Sequence, residues 1–302
     1  GMKLFALQLP RTRSYFNEWL FHQMLRSEGL VALRYDFVDL VVNGKHLGIY
    51  AIEEQFDKRV VENSREREGV IIKFDNQVAV DDPLPGNEIE GYASEMIDSF
   101  ETTQIKESAD YMKMFNQAKN LLESFRRGRL LTSQVFDVEK LAKFFAIVDL
   151  AGHRHPNADT NMRFYYNPIT SLLEPIGFDN QIIDQIDNIE GQNKLIGAIQ
   201  SRNLNYQSTF FNDPIFFEAY IKELNRVSQK EWLDSFFAGI NKEAQKKMNI
   251  LYKSFPGYKF EGKEVLYKNQ IFAQDILHPI LTAQAYFKDY KNNVLEIEVG
   301  NM

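Results

Sequence analysis

Apolar and polar residues alternate with the period of a β-strand at several places in the first 75 residues. Residues 3–9 alternate in this way until Pro10 interrupts the pattern. Two further runs, 35–42 and 47–53, flank the dipeptide Asn43-Gly44, which tolerates positive φ and favours a tight hairpin turn. A fourth strand is predicted over 69–74. The pattern therefore predicts an N-terminal sheet that contains a β-hairpin.

Elsewhere apolar residues recur at helical spacing. The first predicted helices cover 13–28, ending before Gly29, and 55–63. Two apolar stripes follow over 111–125 and 138–148, the second behind Asp137 as N-cap. Further helices are predicted over 213–228, 230–253 and 263–288, and short strands over 164–167, 172–176 and 294–299. The second half is thus expected to be largely helical, which makes the fold class α+β.

An acidic stretch separates the two halves. Eight acidic residues and no Lys or Arg lie between Asp75 and Glu101, and Asp-Pro-Leu-Pro-Gly at 82–86 breaks regular structure. We expect an exposed acidic loop or linker over 76–107, which is either a solvated connection or a lid or docking surface for a basic partner. It would join an N-terminal lobe, 1–75, to a helical C-terminal lobe, 108–290. Residues 291–302 are expected to begin a truncated following segment of a longer protein.

Composition excludes several functional classes. The 302 residues are 44% hydrophobic and include 24 Phe, which is enough to build a large core. The absence of Cys excludes disulfides, thiolate nucleophiles and Cys-based metal sites. An excess of 42 acidic over 35 basic residues argues against a nucleic-acid binder. No apolar run approaches the roughly 18 residues that a membrane span needs.

The polar residues of 149–181 are the strongest candidates for chemistry. Asp149 follows the apolar stripe of its helix, so we expect it to be partly buried, whereas Asp179 leaves a strand through a tight turn. If the two short strands pair, Asp159 and Asn161 can face the same cleft as Asp179. Each residue alone is also compatible with a turn or a helix cap. The same region contains His153, His155 and Asn157.

Several common catalytic devices are missing from the sequence. No HExxH, GxSxG, Walker or GxGxxG motif occurs, so zinc hydrolysis, serine hydrolysis and the usual phosphate loops lack support. Lys73 lies between apolar residues in a predicted strand. It is either an edge lysine that faces water or a cation that pairs with Glu53, Glu54 or a phosphate.

Four segments resemble the spore coat protein H kinase family over about residues 3–182. They are FALQLPRTRSYFNEWLFHQMLRSEGL, LRYDFVDLVVNGKHLGIYAIEEQFDKRVVE, GVIIKFD and NMRFYYNPITSLLEPIGFD. The resemblance implies an atypical protein-kinase-like fold, with an N-terminal mixed or antiparallel sheet and a helical C-terminal lobe. It also implies ATP and Mg²⁺ as cofactors and phosphate transfer to Ser or Thr of a protein. The acidic stretch would favour a basic protein as this substrate. Some members resemble surface proteins, so we favour the cell envelope as the location.

The resemblance also assigns residues. Asp179 corresponds to the aspartate of the family's Pro-Trp-Asp-x-Asp motif and, with Asn161, would hold the metal. Lys73 and Glu53 would serve nucleotide binding, with Glu53 orienting Lys73. The second acid of the motif is replaced by Gln181.

The family's other catalytic aspartate has no counterpart at the expected distance from the asparagine. Asp149, His155 and Asp159 are therefore the candidates for its role. An inactive, pseudokinase-like or adhesive module is the alternative to an active kinase.

Overall fold

The computed structural model of this chain describes residues 2–75, 95–192, 206–279, 283–291 and 293–301. The strands are β1 Phe5–Gln8, β2 Val31–Ala32, β3 Tyr35–Val42, β4 Lys45–Glu54, β5 Ile71–Asp75, β6 Met96–Ser99, β7 Arg163–Asn167, β8 Leu172–Gly177, β9 Ala283–Lys291 and β10 Val294–Asn301. The helices are α1 Asn17–Ser27, α2 Lys58–Asn63, α3 Thr102–Glu107, α4 Ala109–Arg126, α5 Thr132–Val135, α6 Val138–Ala151, α7 Tyr206–Phe210, α8 Pro214–Val227, α9 Lys230–Tyr252 and α10 Gly262–Leu277. A 3₁₀ turn, Pro10–Arg13, precedes α1. The predicted α+β class is confirmed.

Three sheets organise the strands. An antiparallel sheet has the order β1-β4-β3, a mixed sheet has the order β2-β8-β7-β5-β6, and β9 pairs with β10. The predicted hairpin is present between β3 and β4, and Asn43 and Gly44 have φ of 51° and 78°. Two consecutive residues at positive φ are what a two-residue turn between twisted strands requires.

The mixed sheet combines strands from both sides of residue 75. β5 pairs with β6 on one edge and with β7 on the other, so that Lys73 lies opposite Asp98 and Arg163. The predicted division of the chain at residue 75 therefore does not coincide with a division of this sheet. The boundary at 290/291 likewise falls at the end of β9, inside the β9–β10 pair.

Part of the predicted acidic loop is regular structure. Residues 76–94 lie outside the described residues, but β6 and α3 occupy the later part of 76–107. The loop prediction is wrong there because Ile97 and Ile105 are buried and β6 completes the edge of the mixed sheet. The prediction rested on the acidic residues and overlooked the apolar residues whose burial stabilises β6 and α3.

The main core lies on one face of the mixed sheet. Helix α6 is buried along most of its length and packs with α8, and residues of α1, α4 and α10 join the same hydrophobic cluster. A smaller cluster on the other face includes Val60, Val61, Ile71 and Tyr165, with Phe178 packed against it. The sheet is thus covered on both faces, which holds the end of β8 between them.

The bounds of two helices differ most from the prediction. The helix predicted over 13–28 begins only at Asn17, because Ser14 and Tyr15 have φ of 46° and 60° and cannot continue a right-handed helix. The helix predicted over 263–288 ends at Leu277, and β9 begins at Ala283. Within the described part of the chain, no helix combines the length and apolar character needed to cross a membrane.

Candidate functional site

The site forms where β8 ends. Gly177, the last residue of β8, lies so close to its neighbours that a Cβ there would be 2.8 Å from Leu25 of α1 and 2.8 Å from Phe144 of α6. This close approach brings the chain that leaves β8 against the buried face of α1. Asp179 follows two residues later with φ of 64°, and its backbone N–H donates to Glu18 Oε1 at 2.7 Å.

In the described part of the chain, three side chains contact the carboxylate of Asp179. The guanidinium of Arg13 and the amide of Gln181 both donate to Oδ1, the latter at 3.1 Å. On the other side, Nε2 of His155 lies 3.2 Å from Oδ2. The structure therefore brings Asp179 together with His155, which is one of the three candidates named above for the role of the missing catalytic aspartate. It also shows that Gln181 binds Asp179 itself.

Arg13 joins Asp179 to two buried glutamates. Its Nη1 lies 3.8 Å from Glu18 Oε2 and its Nη2 lies 3.5 Å from Glu53 Oε2. The guanidinium carbon is also 5.8 Å from the centre of the Phe178 ring. We call Glu18, Glu53 and Asp179 the carboxylate cluster. One guanidinium thus faces three carboxylates in a nearly dry environment.

The carboxylate cluster lacks donors at some of its buried oxygens. Glu18 is fully buried and Glu53 is 4% exposed, and neither Glu18 Oε2 nor Glu53 Oε1 has a hydrogen-bond partner within the described segments. Burial raises the pKa of Glu53 to about 7, against the lowering effect of Arg13. His22, one helical turn after Glu18, is also fully buried, and burial lowers its pKa, which favours the neutral imidazole.

Asn161 is connected to the site by a hydrogen bond to His155. Its Nδ2 donates to the backbone carbonyl of His155 at 3.1 Å. The ring of His153 is 5.7 Å from that of His155, and burial lowers the pKa of His153. Asn161 therefore positions the loop that presents His155 to Asp179.

Asp149 and Asp159 occupy different surroundings. Asp149 is fully buried at the end of α6, where it accepts a hydrogen bond from the Tyr220 hydroxyl at 2.5 Å and from the Glu190 backbone N–H at 3.2 Å. Burial and the neighbouring Glu190 raise its pKa. Asp159 Oδ1 accepts from the N–H of Thr160 at 2.8 Å within its own turn. The contacts described for Asp149 do not include Asp179 or His155.

Lys73 and Arg163 place two cations side by side on the mixed sheet. Lys73 Nζ lies 3.4 Å from Asp75 Oδ1 and 5.5 Å from the Phe100 ring centre. Arg163, opposite it on β7, lies 5.0 Å from the ring centre of Phe178. Burial lowers the pKa of Arg163 to about 10, while Asp179 and Asp75 act to raise it.

The expected pairing of Lys73 with Glu53 is absent from these described residues. The Lys73 ammonium pairs with Asp75, and Arg13 is the cation beside Glu53. The two sequence-predicted residues therefore belong to neighbouring but separate contacts. The reason is that Lys73 lies on β5 in the mixed sheet, whereas Glu53 lies on β4 in the antiparallel sheet.

A family model described as CotH kinase protein matches residues 10–230. The chain belongs to the CotH kinase family. This membership supports a kinase-like phosphotransferase in general, and it agrees with the mixed α+β architecture. No curated protein matches the chain.

One solved structure that the chain resembles is a HipA, HipB and operator DNA complex of a toxin–antitoxin system from Shewanella oneidensis MR-1. The identity is 12% and the TM-score is 0.34. The match covers 87% of this chain and 55% of that chain, so the chain spans about half the length of that structure.

The sequence predictions did not single out three residues that the structure places in the site of this CotH kinase-family chain. They are Arg13, Glu18 and His22. A signal was available for two of them, since Glu18 and His22 occur one turn apart in a helix whose other positions are mostly apolar. No local pattern identifies Arg13, because two of its three carboxylate partners, Glu53 and Asp179, lie far away along the chain.

Proposed function

We propose that this CotH kinase-family chain transfers phosphate from ATP, with Mg²⁺, to Ser or Thr residues of a protein. The observation that carries the proposal is the contact of His155 Nε2 with the Asp179 carboxylate, 3.2 Å apart where β8 ends. A carboxylate for a metal and a group that can accept a hydroxyl proton are the two side chains that phosphoryl transfer most needs.

Asp179 and Asn161 fit a hard divalent cation. Mg²⁺ prefers oxygen ligands, and these two side chains offer a carboxylate oxygen and an amide oxygen beside the end of β8. Three carboxylates beside one guanidinium leave local negative charge that a cation would offset. Asp179 with Asn161 would hold the ion, which would neutralise charge on the phosphates.

The remaining roles follow from position. Lys73 and Arg163, adjacent across β5 and β7, supply positive charge for phosphate. His155 orients and deprotonates the acceptor hydroxyl, because it contacts Asp179. Asp149 is instead buried and accepts hydrogen bonds from Tyr220 and from the Glu190 backbone. Glu53 positions Arg13 rather than Lys73. The acidic stretch would favour a basic protein substrate through long-range attraction.

The second candidate is an inactive, pseudokinase-like or adhesive module of the cell envelope. One observation favours it: both Arg13 and Gln181 already donate to Asp179 Oδ1. A fixed cation on the carboxylate satisfies it without a metal, and Gln181 adds no negative charge where the family motif has an acid. If the chain is an active kinase, binding of the nucleotide and its metal must therefore displace Arg13 from Asp179.

Calorimetric titration with ATP, with and without Mg²⁺, tests the proposal. We expect Mg²⁺-dependent binding to the native chain, at least tenfold weaker binding to Asp179→Asn, and native binding to Asp275→Asn. The control makes the same charge change at an exposed position on α10. Absence of Mg²⁺-dependent binding by the native chain would contradict the proposal.

Phosphate transfer distinguishes the two candidates. With γ-labelled ATP and a basic protein mixture such as histones, label is expected on Ser or Thr, and His155→Ala is expected to bind ATP but to lose transfer. Native binding of ATP without any transfer, to the mixture or to the chain itself, would favour the pseudokinase-like module.

A further inference from the structure

A second group of potential metal ligands lies beneath Arg13, between α1 and β4. Glu18 and His22 are one turn apart on α1, and Glu53 is near the end of β4. One ligand atom of each lies within 4.8 Å of the others, and all three residues are buried. We call these residues the Glu-His-Glu triad.

The triad contains polar atoms without partners. Glu18 Oε2, Glu53 Oε1 and both ring nitrogens of His22 are buried and make no hydrogen bond to any residue that the structure describes. His22 Nε2 approaches Glu18 Oε1 to 3.2 Å, but without hydrogen-bond geometry. Buried polar atoms are normally hydrogen-bonded or bound to an ion, so unpartnered atoms on three side chains this close together indicate a missing ligand.

The charges around the triad indicate that this ligand is a cation. Arg13 is the only guanidinium that contacts the triad in the described part of the chain, at 3.8 Å from Glu18 and 3.5 Å from Glu53. Both contacts use Oε2 and leave Glu53 Oε1 free. Asp179 adds a third carboxylate to the same guanidinium.

We propose that the Glu-His-Glu triad binds one first-row divalent ion of the Zn²⁺ or Mn²⁺ type. Imidazole is a ligand for such ions and not for Mg²⁺ or Ca²⁺, which prefer oxygen. Ligand atoms around such an ion lie about 3–4 Å apart, so the side chains need to close by about 1 Å. The ion would be resident in the fold and independent of nucleotide, and the proposal does not depend on the proposed kinase activity.

The ion would also position Asp179. Glu18 Oε1 accepts the backbone N–H of Asp179, at 2.7 Å, so fixing the Glu18 carboxylate fixes the residue that leaves β8 at positive φ. Ligands of metals are commonly tied to neighbouring groups in this way. The triad would thus act on the proposed nucleotide site as a positioning element.

Titration of the full chain with Co²⁺ tests the proposal. After treatment with EDTA and without nucleotide, we expect one equivalent of Co²⁺ to bind and to produce visible absorption, with Zn²⁺ displacing it and Mg²⁺ failing to do so. His22→Gln is expected to weaken binding at least tenfold. His46→Gln, which removes an imidazole that is 74% exposed on β4, is expected to bind as the native chain does.

Two further variants keep the test decisive. If circular dichroism shows His22→Gln to be unfolded, Glu53→Gln, which retains the shape of the side chain, is expected to show the same tenfold loss. Asp179→Asn is expected to retain Co²⁺ binding. No stoichiometric Co²⁺ binding by the native chain, or a loss in Asp179→Asn that the triad variants do not share, would overturn the proposal.

Discussion

Asp149 lies two residues before the end of α6 and His155 lies four residues after it, yet their surroundings differ. The side chain of Asp149 is 1% exposed and is held by Tyr220 and Glu190, whereas that of His155 is 40% exposed and lies against Asp179. A carboxylate that is 1% exposed and already accepts two hydrogen bonds is poorly placed to reach a hydroxyl group of a protein substrate. A half-exposed imidazole beside a carboxylate is better placed, which is why His155 and not Asp149 is the proposed catalytic group.

Substitution of these two residues is expected to separate stability from activity. Asp149→Ala leaves the buried Tyr220 hydroxyl and the Glu190 N–H without an acceptor, which costs about 2–4 kcal/mol of unfolding free energy. His155→Ala is expected to change stability by about 0.5 kcal/mol or less. Urea unfolding measures both variants, and ATP binding by the folded fraction of Asp149→Ala should equal that of the native chain. Native stability in Asp149→Ala would contradict the assignment.

The pH dependence of Asp149 has a definite sign. Burial raises its pKa in the folded state above the value in the unfolded chain, so the folded state holds a proton that the unfolded chain has already released. Its contribution to stability therefore falls as pH rises from about 4 through the raised pKa. Asparagine does not titrate, so Asp149→Asn is expected to remove this contribution to the pH dependence of the unfolding free energy.

Helices and strands whose ends are set by neighbouring residues were predicted correctly from the sequence. Ends without such a local signal were not. The β3–β4 hairpin was predicted because Asn43-Gly44 determines its turn by itself. Helix α6 was predicted from its stripe and from Asp137, whose carboxylate accepts the Lys140 N–H at 3.0 Å. The start of α1 was not, because the positive φ of Ser14 and Tyr15 has no sequence signal comparable to glycine.

The end of α6 depends on a glycine that packing also requires. Gly152 has φ of 76°, and a Cβ there would lie 2.0 Å from the backbone oxygen of Asp184. Gly152→Ala is therefore expected to lower the unfolding free energy by about 3 kcal/mol or more, since strain and a backbone clash add. Gly128, with φ of 62° and no atom within 4 Å of such a Cβ, is the control.

Thermal or urea unfolding of both alanine variants checks this prediction. Gly128→Ala is expected to lose only about 1 kcal/mol, from strain alone. Equal losses in the two variants would show that the segment around Asp184 moves away freely, and that α6 does not fix the start of the site loop.

The whole molecule is held together at the site by contacts that are distant in sequence. Arg13 and Asp179 are 166 residues apart, and Arg13 also reaches Glu18 and Glu53. Elsewhere, Arg226 of α8 binds Glu28 and Lys247 of α9 binds Asp36. No periodicity in the sequence predicts such contacts, because they exist only after the sheets and helices have packed. The polar residues of 149–181 could be identified from sequence, but their division into a site and a buried network could not.

Removal of Arg13 is expected to destabilise the whole fold in a pH-dependent manner. Arg13→Gln leaves Glu18, Glu53 and Asp179 buried together without their guanidinium, which at pH 8 is expected to cost about 3 kcal/mol of unfolding free energy. At pH 5 the cost is expected to be smaller, because the pKa of Glu53 is already about 7 and loss of Arg13 raises it further, so that this carboxyl is protonated.

The sign follows from linkage. The pKa of Glu53 is near 4.5 in the unfolded chain and higher in the folded chain, so between these two values the folded chain binds more protons. The free energy of unfolding therefore falls as pH rises through this range. In Arg13→Gln the folded pKa is higher still, so the fall continues to higher pH. Urea unfolding from pH 5 to pH 8, after treatment with EDTA, measures the two slopes, with Arg11→Gln at an exposed position as the control. Parallel slopes for Arg13→Gln and the native chain would show that the carboxylates are neutralised by some other group. A difference that Zn²⁺ abolishes would show that a divalent ion and Arg13 stabilise the same buried charge.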